Sequence, residues 1–500
     1  MKNLLWFIWL AGPLAWAQKP APQPNLALAK IPGAKPRNII FIFSDDHRHD
    51  FLGFTGRVPW LQTPNLDRLA REGAHCQNAF VTTSLCSPSR ATILTGQYAH
   101  EHTVVDNFSP EPPNLTYFPQ YLQRAGYQTA LFGKWHMGDE DDRPRKGFDT
   151  WVSFRGQGQY FNPTLNINGQ TKKYENGAYT PDVITDLALD FLAKRDPNRP
   201  FFAYLSHKSV HADFRPAPAD LYKYHGKPIP YPASRFFTHA QAPPQPGVNL
   251  ADVPQWVKNQ RFSWHGIDYA YHGTLSMDTI FWRYCETLHS LDASIGRVLK
   301  YLDDNGLAES TLVVYASDNG FYFGEHGFID KRSMYEESMR IPMLVRCPEL
   351  VKPGTKMPQV VQNIDLPSTF LAAAGLQPPP HLRGRSFLPL LAQKETAWRD
   401  KIFYEYYWEH DFPQTPTMFG VRTDRYKYIF YHGLWDVNEL YDLQADPQEL
   451  NNLIRSPQHQ TIAKELQKEV FDWLERTNGM QIPLKRPLRR RGDHRYKDTY

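Results

Sequence analysis

The sequence predicts an α/β protein: a mixed, largely parallel sheet with helices on both faces, followed by a small C-terminal antiparallel sheet and one helix. Three observations lead there. Continuous apolar runs at 38–43, 200–205 and 311–316 have the pattern of central parallel strands buried on both faces. Between them lie helical stretches such as 181–195 and 277–305, which suit crossover connections that cover a sheet. After Leu391 the pattern turns to short alternating segments at 401–406, 417–422 and 426–431, then a helical segment at 457–477, the signature of a small antiparallel sheet packed on one helix.

At 500 residues the chain exceeds one ordinary compact domain. Met1-Lys2, an apolar run over 4–14 and Ala15-Trp16-Ala17 read as a secretory signal peptide cut after Ala17, so export to the periplasm or the medium is expected. That run is too short for a membrane span, and no later run matches it. Residues 18–37, rich in Pro, Ala and Lys, read as a tether; 38–391 forms the main domain and 392–500 a C-terminal subdomain. Four cysteines, Cys76, Cys86, Cys285 and Cys347, are too few for a disulfide scaffold. The net charge of +4 is mild, with much of the excess in the tail 485–491, and no nucleic-acid motif is present. Asn107 and Asn114 stand in Asn-X-Ser/Thr matches that matter only in a eukaryotic secretory route.

The first strand stops at Ser44-Asp45-Asp46 and the strand at 311–316 stops at Ser317-Asp318-Asn319. In open α/β sheets ligands gather at the carboxyl ends of strands, so the two tips can lie side by side. Three carboxylates and one carboxamide so close together repel unless a cation sits among them, and all-oxygen ligation selects Ca²⁺ or Mg²⁺, with Ca²⁺ favoured. Either pair alone also suits a capping turn. Zinc is disfavoured at His47-Arg48-His49, because no Cys or His cluster nearby completes a tetrahedral shell.

Cys86-Ser87-Pro88-Ser89-Arg90 reads as the start of a helix, with Pro88 near its first position and Gly96 as the C-terminal cap. Cys86 and Arg90 then share a face, and first-turn N–H groups with the positive end of the dipole would face an anion held there. A strand at 129–134 exits through Lys134-Trp135-His136. The strand at 200–206 exits through His207-Lys208-Ser209-Val210-His211, which leaves His207 and His211 as competitors for one role. Gly324-Glu325-His326-Gly327 leads to Lys331, and His326 reads as a loop-packing residue. The segment 211–271, rich in Pro, Tyr and Trp, reads as loops over the mouth of the site, and 439–449 as a structural turn.

The run Cys86-Ser87-Pro88-Ser89-Arg90 through Leu94-Thr95-Gly96 resembles the signature of the type I sulfatases, members of the alkaline phosphatase superfamily. The resemblance spans about Arg37 to beyond Asp442. It implies an alkaline-phosphatase-like fold and oxidation of Cys86 to formylglycine by a transiently bound maturase. It further implies metal ligation by Asp45, Asp46, Asp318 and Asn319, and sulfate contacts from Lys134 and Lys331. By the same resemblance Arg90 and the metal make the attacking hydroxyl of the hydrated aldehyde more acidic, His211 protonates the leaving oxygen, and His136 takes the proton from the second hydroxyl.

Segments 406–413 and 434–439 look similar to bacterial sulfatases acting on 6-O-sulfated N-acetylglucosamine, which implies a sulfated carbohydrate substrate. Other sulfated polysaccharides, a phosphoester or phosphonate hydrolase of the same superfamily, and a non-catalytic sulfated-glycan binding protein stay open as alternatives.

Overall fold

A computed structural model describes residues 25–138, 141–239, 241–262, 275–394, 397–410, 412–433 and 436–483. The signal-peptide segment 1–17, the start of the tether, the basic tail 485–491 and part of the 406–413 and 434–439 segments lie outside the described residues. Its strands are β1 (Asn38–Ser44), β2 (Ala74–Phe80), β3 (Gln128–Lys134), β4 (Thr150–Phe154), β5 (Thr164–Ile167), β6 (Gln170–Lys173), β7 (Phe201–Ser206), β8 (Thr311–Ser317), β9 (Tyr322–Phe323), β10 (Ile329–Asp330), β11 (Met343–Arg346), β12 (Thr355–Gln362), β13 (Lys401–Tyr406), β14 (Met418–Thr423), β15 (Tyr426–Tyr431) and β16 (Glu439–Asp442).

Ten strands form one sheet in the order β12-β2-β11-β8-β1-β7-β3-β4-β5-β6. Its centre, β8-β1-β7-β3-β4, is parallel throughout, while β11 runs antiparallel to both β8 and β2. The apolar runs are continuous because both faces are covered. Ile39, Phe41 and Phe43 pack into one layer with Ile93 and Phe370, and Ile40 and Ile42 pack into the other with Leu192 and Leu291. Helices Cys86–Thr95 and Leu366–Ala373 thus cover one face, and Thr180–Lys194 and Met277–Asp304 the other. Each fully buried side chain of this kind contributes about 1.5–3 kcal/mol.

The C-terminal sheet β13-β14-β15-β16 is antiparallel and packs Val421 and Tyr428 against Leu466, Val470 and Trp473 of helix Gln460–Arg476. It is fastened to the main body through buried polar groups. Glu405 of β13 accepts from the Ala99 N–H at 2.5 Å, His100 Nδ1 at 2.7 Å and the Tyr407 hydroxyl at 2.8 Å.

Two expectations need correction. Residues 29–37 are not a free tether: the Ile31 N–H donates to Gly375 O at 2.7 Å, the Arg37 N–H to Ala373 O at 3.1 Å, and the Gln377 N–H to Ala29 O at 2.8 Å. Leu26 and Leu28 also pack on the core; the Pro and Ala content hid apolar anchors and backbone groups that needed partners. The first part of the expected turn, residues 439–442, is instead the edge strand β16, because Glu439 is a buried acceptor for the hydroxyls of Tyr335, Tyr431 and Tyr441. Among the described residues, 211–262 are irregular as expected apart from three short turns of helix, though Phe236, Phe237, Trp256 and Val257 are buried in the core.

Candidate active site at the strand tips

Parallel pairing of β1 and β8 sets Ser44 opposite Ser317, so Asp45-Asp46 and Asp318-Asn319 leave the sheet side by side. Asp46 has φ 60°, a left-handed conformation that short polar residues tolerate, and its N–H donates to Asp318 Oδ1 at 3.0 Å. Ligand atoms of Asp45, Asp46, Cys86 and Asp318 all lie within 4.8 Å of one another, and all four residues are fully buried.

Helix Cys86–Thr95 starts on Cys86 itself, and Gly96, φ 66°, ends it with an N–H to Thr92 O at 2.8 Å. Pro88 therefore stands at the third helical position, later than expected. First-turn N–H groups are also less available to an anion than the sequence implied, since Ser87 N–H donates to Asn107 Oδ1 at 3.0 Å and Pro88 has none. Asn107 is buried with its side chain engaged in this contact, whereas Asn114 is exposed. The Cys86 thiol lies 3.6 Å from Asp45 Oδ1; burial and the Asp45 charge push it up to about 12, so it is a neutral thiol near pH 7 and a poor nucleophile.

Arg90, one turn on, does not face open space. Its guanidinium bonds Asp45 Oδ2 at 2.8 Å, Asp318 Oδ2 at 2.9 Å, Ser206 Oγ at 2.7 Å and Lys134 O at 3.0 Å, and so fixes the tips of β1, β8, β7 and β3 to one another. Lys134 Nζ donates to Asp45 Oδ2 and, at 2.5 Å, to Gln157 Oε1. Lys331 Nζ donates to Asp46 Oδ1 at 2.6 Å. Burial works against the Asp45 charge, yet Lys134 and Arg90 hold that carboxyl well below the usual range; burial and neighbouring Asp45 push Asp318 up to about 6.

The two histidines differ in reach. His211 Nδ1 sits 2.8 Å from Ala212 O, which accepts only, so Nδ1 carries hydrogen and Nε2, 3.7 Å from Asp46 Oδ2, is the nitrogen turned to the site. Burial and Lys331 hold its pKa well below the ordinary value. His136, φ 52°, accepts the Ser87 hydroxyl on its carbonyl at 2.5 Å and places Nδ1 3.5 Å from that oxygen. His207 is buried with Nδ1 unpartnered and is not among the groups clustered around Cys86, whereas His211 joins Asp45 and Cys86 in such a cluster. His47 spends both ring nitrogens on the Tyr315 hydroxyl at 2.6 Å and Phe51 O at 2.8 Å.

The donor set fits a hard cation. Asp46 Oδ2 and Asn319 Oδ1 are buried oxygens with no hydrogen-bond partner, and the Asn319 amide nitrogen, which donates to Asp46 Oδ1 at 2.6 Å and Gly320 O at 2.8 Å, ties that side chain to the cluster.

Sequence reasoning missed Gln157, Asn107 and Ser206. Ser206 had a readable signal, since β1, β7 and β8 all end in serine; the other two are long-range contacts of common residues. It also missed the ion pair of Arg332 with Glu409, 2.9 Å, which lies beside Lys331 and takes the Tyr406 hydroxyl at 2.5 Å.

Residues 37–376 match the sulfatase family model, and 324–476 match the model of the N-sulphoglucosamine sulphohydrolase C-terminal region. An N-acetylglucosamine-6-O-sulfatase of Bacteroides thetaiotaomicron is 33% identical, over 89% of this chain and 86% of that protein. The human N-acetylglucosamine-6-sulfatase is 28% identical, over 86% of this chain and 83% of that one. A solved structure of a protein in complex with its substrate D-glucosamine-2-N,6-O-disulfate superposes with a TM-score of 0.76 at 31% identity, over 89% of this chain and 99% of that one. With a strand-tip cluster of acids closed by a cysteine helix, and a family match across most of its length, this chain belongs to the sulfatases, the hydrolases of sulfuric esters.

Proposed function

We propose that the chain hydrolyses the 6-O-sulfate of N-acetylglucosamine residues in a sulfated glycan. The observation that carries the reading is the near full-length similarity to an N-acetylglucosamine-6-O-sulfatase in a chain whose Cys86 lies 3.6 Å from an acidic strand tip.

Oxidised to formylglycine by a maturase, residue 86 supplies a hydrated aldehyde hydroxyl as the nucleophile toward sulfur, a role the neutral Cys86 thiol is unsuited to. Asp45, Asp46, Asp318 and Asn319 would hold a hard divalent cation, Ca²⁺ by preference, which would supply Lewis acidity toward the sulfate oxygens. Lys134 and Lys331 hold two sulfate oxygens where negative charge builds up, and their present carboxylate partners show that both ammonium groups already reach the cluster. Arg90 keeps the acidic tips in register. His211 Nε2, which carries no proton in the free enzyme, would take one up as the anionic ester binds, offset by the proton the attacking hydroxyl releases, and pass it to the departing sugar oxygen, so that the S–O bond breaks to a neutral alcohol; His136 would accept the proton of the second hydroxyl as sulfate leaves by C–O cleavage, and water restores the hydrate. Net, one water is consumed and one sulfate and one sugar hydroxyl appear.

Export accompanies this reading, through the segment 1–17. Among the described residues no helix is long and apolar enough to cross a membrane.

The test is sulfate release from a defined panel: N-acetylglucosamine 6-sulfate and 3-sulfate, glucosamine 2-N-sulfate, N-acetylgalactosamine 6-sulfate and an aryl phosphate diester, using protein with confirmed conversion at residue 86. The 6-sulfated N-acetylglucosamine should have the highest kcat/KM. Preferential loss of the N-sulfate, or of phosphate, overturns the reading.

A further inference from the structure

Away from the strand tips, a second group of ligating atoms stands buried. His326 Nε2 and Glu337 Oε2 are 3.9 Å apart, and ligand atoms of His326, Glu337 and Glu449 all lie within 4.8 Å of one another. His326 Nε2 and Glu337 Oε2 are each buried without a hydrogen-bond partner, and Glu449 Oε1 meets Lys427 Nζ at 2.7 Å. Native interiors rarely leave even one such atom unsatisfied, and here two stand 3.9 Å apart.

The three side chains are held in place. The His326 N–H donates to Ser234 O at 2.6 Å and its ring stacks on Tyr335, centroids 4.0 Å apart and planes 9° off parallel. Glu449 Oε2 accepts the Glu336 N–H at 2.8 Å, which leaves Oε1 on the other side. Nearby cations are committed to other carboxylate oxygens or to Glu449 alone. Arg48 pairs with Glu325 at 2.5 Å, Arg422 with Glu336 at 2.8 Å, and Lys427 with Glu336 at 2.9 Å and Glu449 Oε1 at 2.7 Å, the last without hydrogen-bond alignment. None of them hydrogen-bonds Glu337 Oε2.

We propose that His326, Glu337 and Glu449 form a second metal site, for a borderline divalent transition ion such as Zn²⁺. One imidazole nitrogen with two carboxylates is a donor set for Zn²⁺ or its neighbours rather than for the Ca²⁺ favoured by the four oxygen donors at the strand tips. Metal–ligand lengths of about 2.0–2.2 Å put ligand atoms roughly 3.4 Å apart in a tetrahedral shell, so the three atoms, now within 4.8 Å of one another, must draw together by up to about 1.4 Å through side-chain rotation. Glu337 also lines a cavity of about 490 Å³, large enough to hold water beside the carboxylate, whose wall carries Arg48, Arg57, Arg340 and Arg422, so an ion would enter against positive charge.

The position gives the ion a task. His326 and Glu337 flank Lys331 in sequence, and Glu449 belongs to the C-terminal subdomain. An ion here ties both ends of the Lys331 segment to the neighbouring sheet, so it orders a residue that the proposed function uses without touching substrate.

Full-length protein is stripped with a chelator, resupplied with saturating Ca²⁺ to fill the strand-tip site, and dialysed against micromolar Zn²⁺. Wild type should retain about one more Zn²⁺ per chain than His326→Gln or Glu337→Gln, and Asp318→Asn should retain it as wild type does. Equal Zn²⁺ in wild type and both variants, or loss of Zn²⁺ in Asp318→Asn alone, overturns the proposal. Anomalous diffraction at the zinc edge from wild-type crystals needs no variant to fold: a peak between His326 Nε2 and Glu337 Oε2 is expected, and water density there without anomalous signal sinks the site. Neither readout involves sulfate release, so failure here leaves the hydrolase reading standing.

Discussion

Lys331 Nζ donates to Asp46 Oδ1 at 2.6 Å, onto the same oxygen that accepts the Asn319 amide. A cation seated among the strand-tip oxygens competes with this ammonium for Asp46. Lys331→Ala should therefore bind Ca²⁺ more tightly than wild type in a calorimetric titration without substrate, while kcat/KM on the sulfate ester falls about 10²–10³-fold for loss of one charged donor to the sulfate. Unchanged Ca²⁺ affinity would separate the lysine from the metal position.

Cys86 is small, fully buried and enclosed by its own helix, so Cys86→Ala should keep the melting temperature within a few degrees while abolishing turnover. Cys86→Ser should be nearly as inactive unless the host carries a serine-oxidising maturase. The mass of the peptide from Ala79 to Arg90 should show CHO in place of CH₂SH in active wild type, and full activity of unconverted protein would contradict the mechanism.

Gly133 allows β3 to pass close to β7. At φ 113° an added Cβ would lie 2.0 Å from Ser206 O, a backbone atom that cannot move aside cheaply. Gly133→Ala should push apart the two strands whose tips carry Lys134 and Ser206. The expected result is a cost of about 2–4 kcal/mol in urea unfolding together with a fall in kcat larger than any rise in KM. Activity equal to wild type would mean that the tip geometry tolerates the shift.

His100 and Glu405 make the fastening between the main body and the C-terminal sheet dependent on pH. Burial opposes the imidazolium, but the Glu405 charge and hydrogen bond raise His100 above its ordinary 6.5; burial opposes the carboxylate too, yet His100 holds Glu405 below its ordinary 4.5. A raised histidine contributes stability fully present below 6.5 and lost as pH rises through its folded value. A depressed glutamate contributes stability present above 4.5 and lost as pH falls through its folded value. The pair is thus most stabilising between about 4.5 and 6.5. His100→Ala should cost about 3 kcal/mol in that window and less at pH 9, read from urea midpoints. A cost independent of pH would show that packing against Tyr98 and Trp473 is what matters.

The sequence was most readable where one physical demand fixes residue types over a short stretch. Ile39 to Phe43 had to be apolar on both faces, so β1 and β8 stood out, and the acids that end them had no packing reason to be there. Gly96 closed its helix as expected because few residues other than glycine adopt φ 66° without cost. The strand β2, Ala-His-Cys-Gln-Asn-Ala-Phe, gave no such signal, since its buried and half-buried positions mix polar and apolar residues. Gln157 and Asn107 were invisible for another reason: each serves the site through one contact with a distant residue, and nothing in the neighbouring sequence records that partner. Composition misled at 29–37, where Pro and Ala suggested a loose tether and a few backbone hydrogen bonds hold it down instead.

The hydrogen bond from Asp46 N–H to Asp318 Oδ1 closes a loop of 272 residues. No fragment of the chain that lacks either end of that loop can assemble the proposed cation position, and a one-residue deletion within Thr311–Ser317 would carry Asp318 to the opposite face of the sheet. During refolding, recovery of high-affinity Ca²⁺ uptake should therefore coincide with burial of the central strands rather than precede it, which makes ion uptake a stopwatch for the slowest, most distant pairing in the molecule.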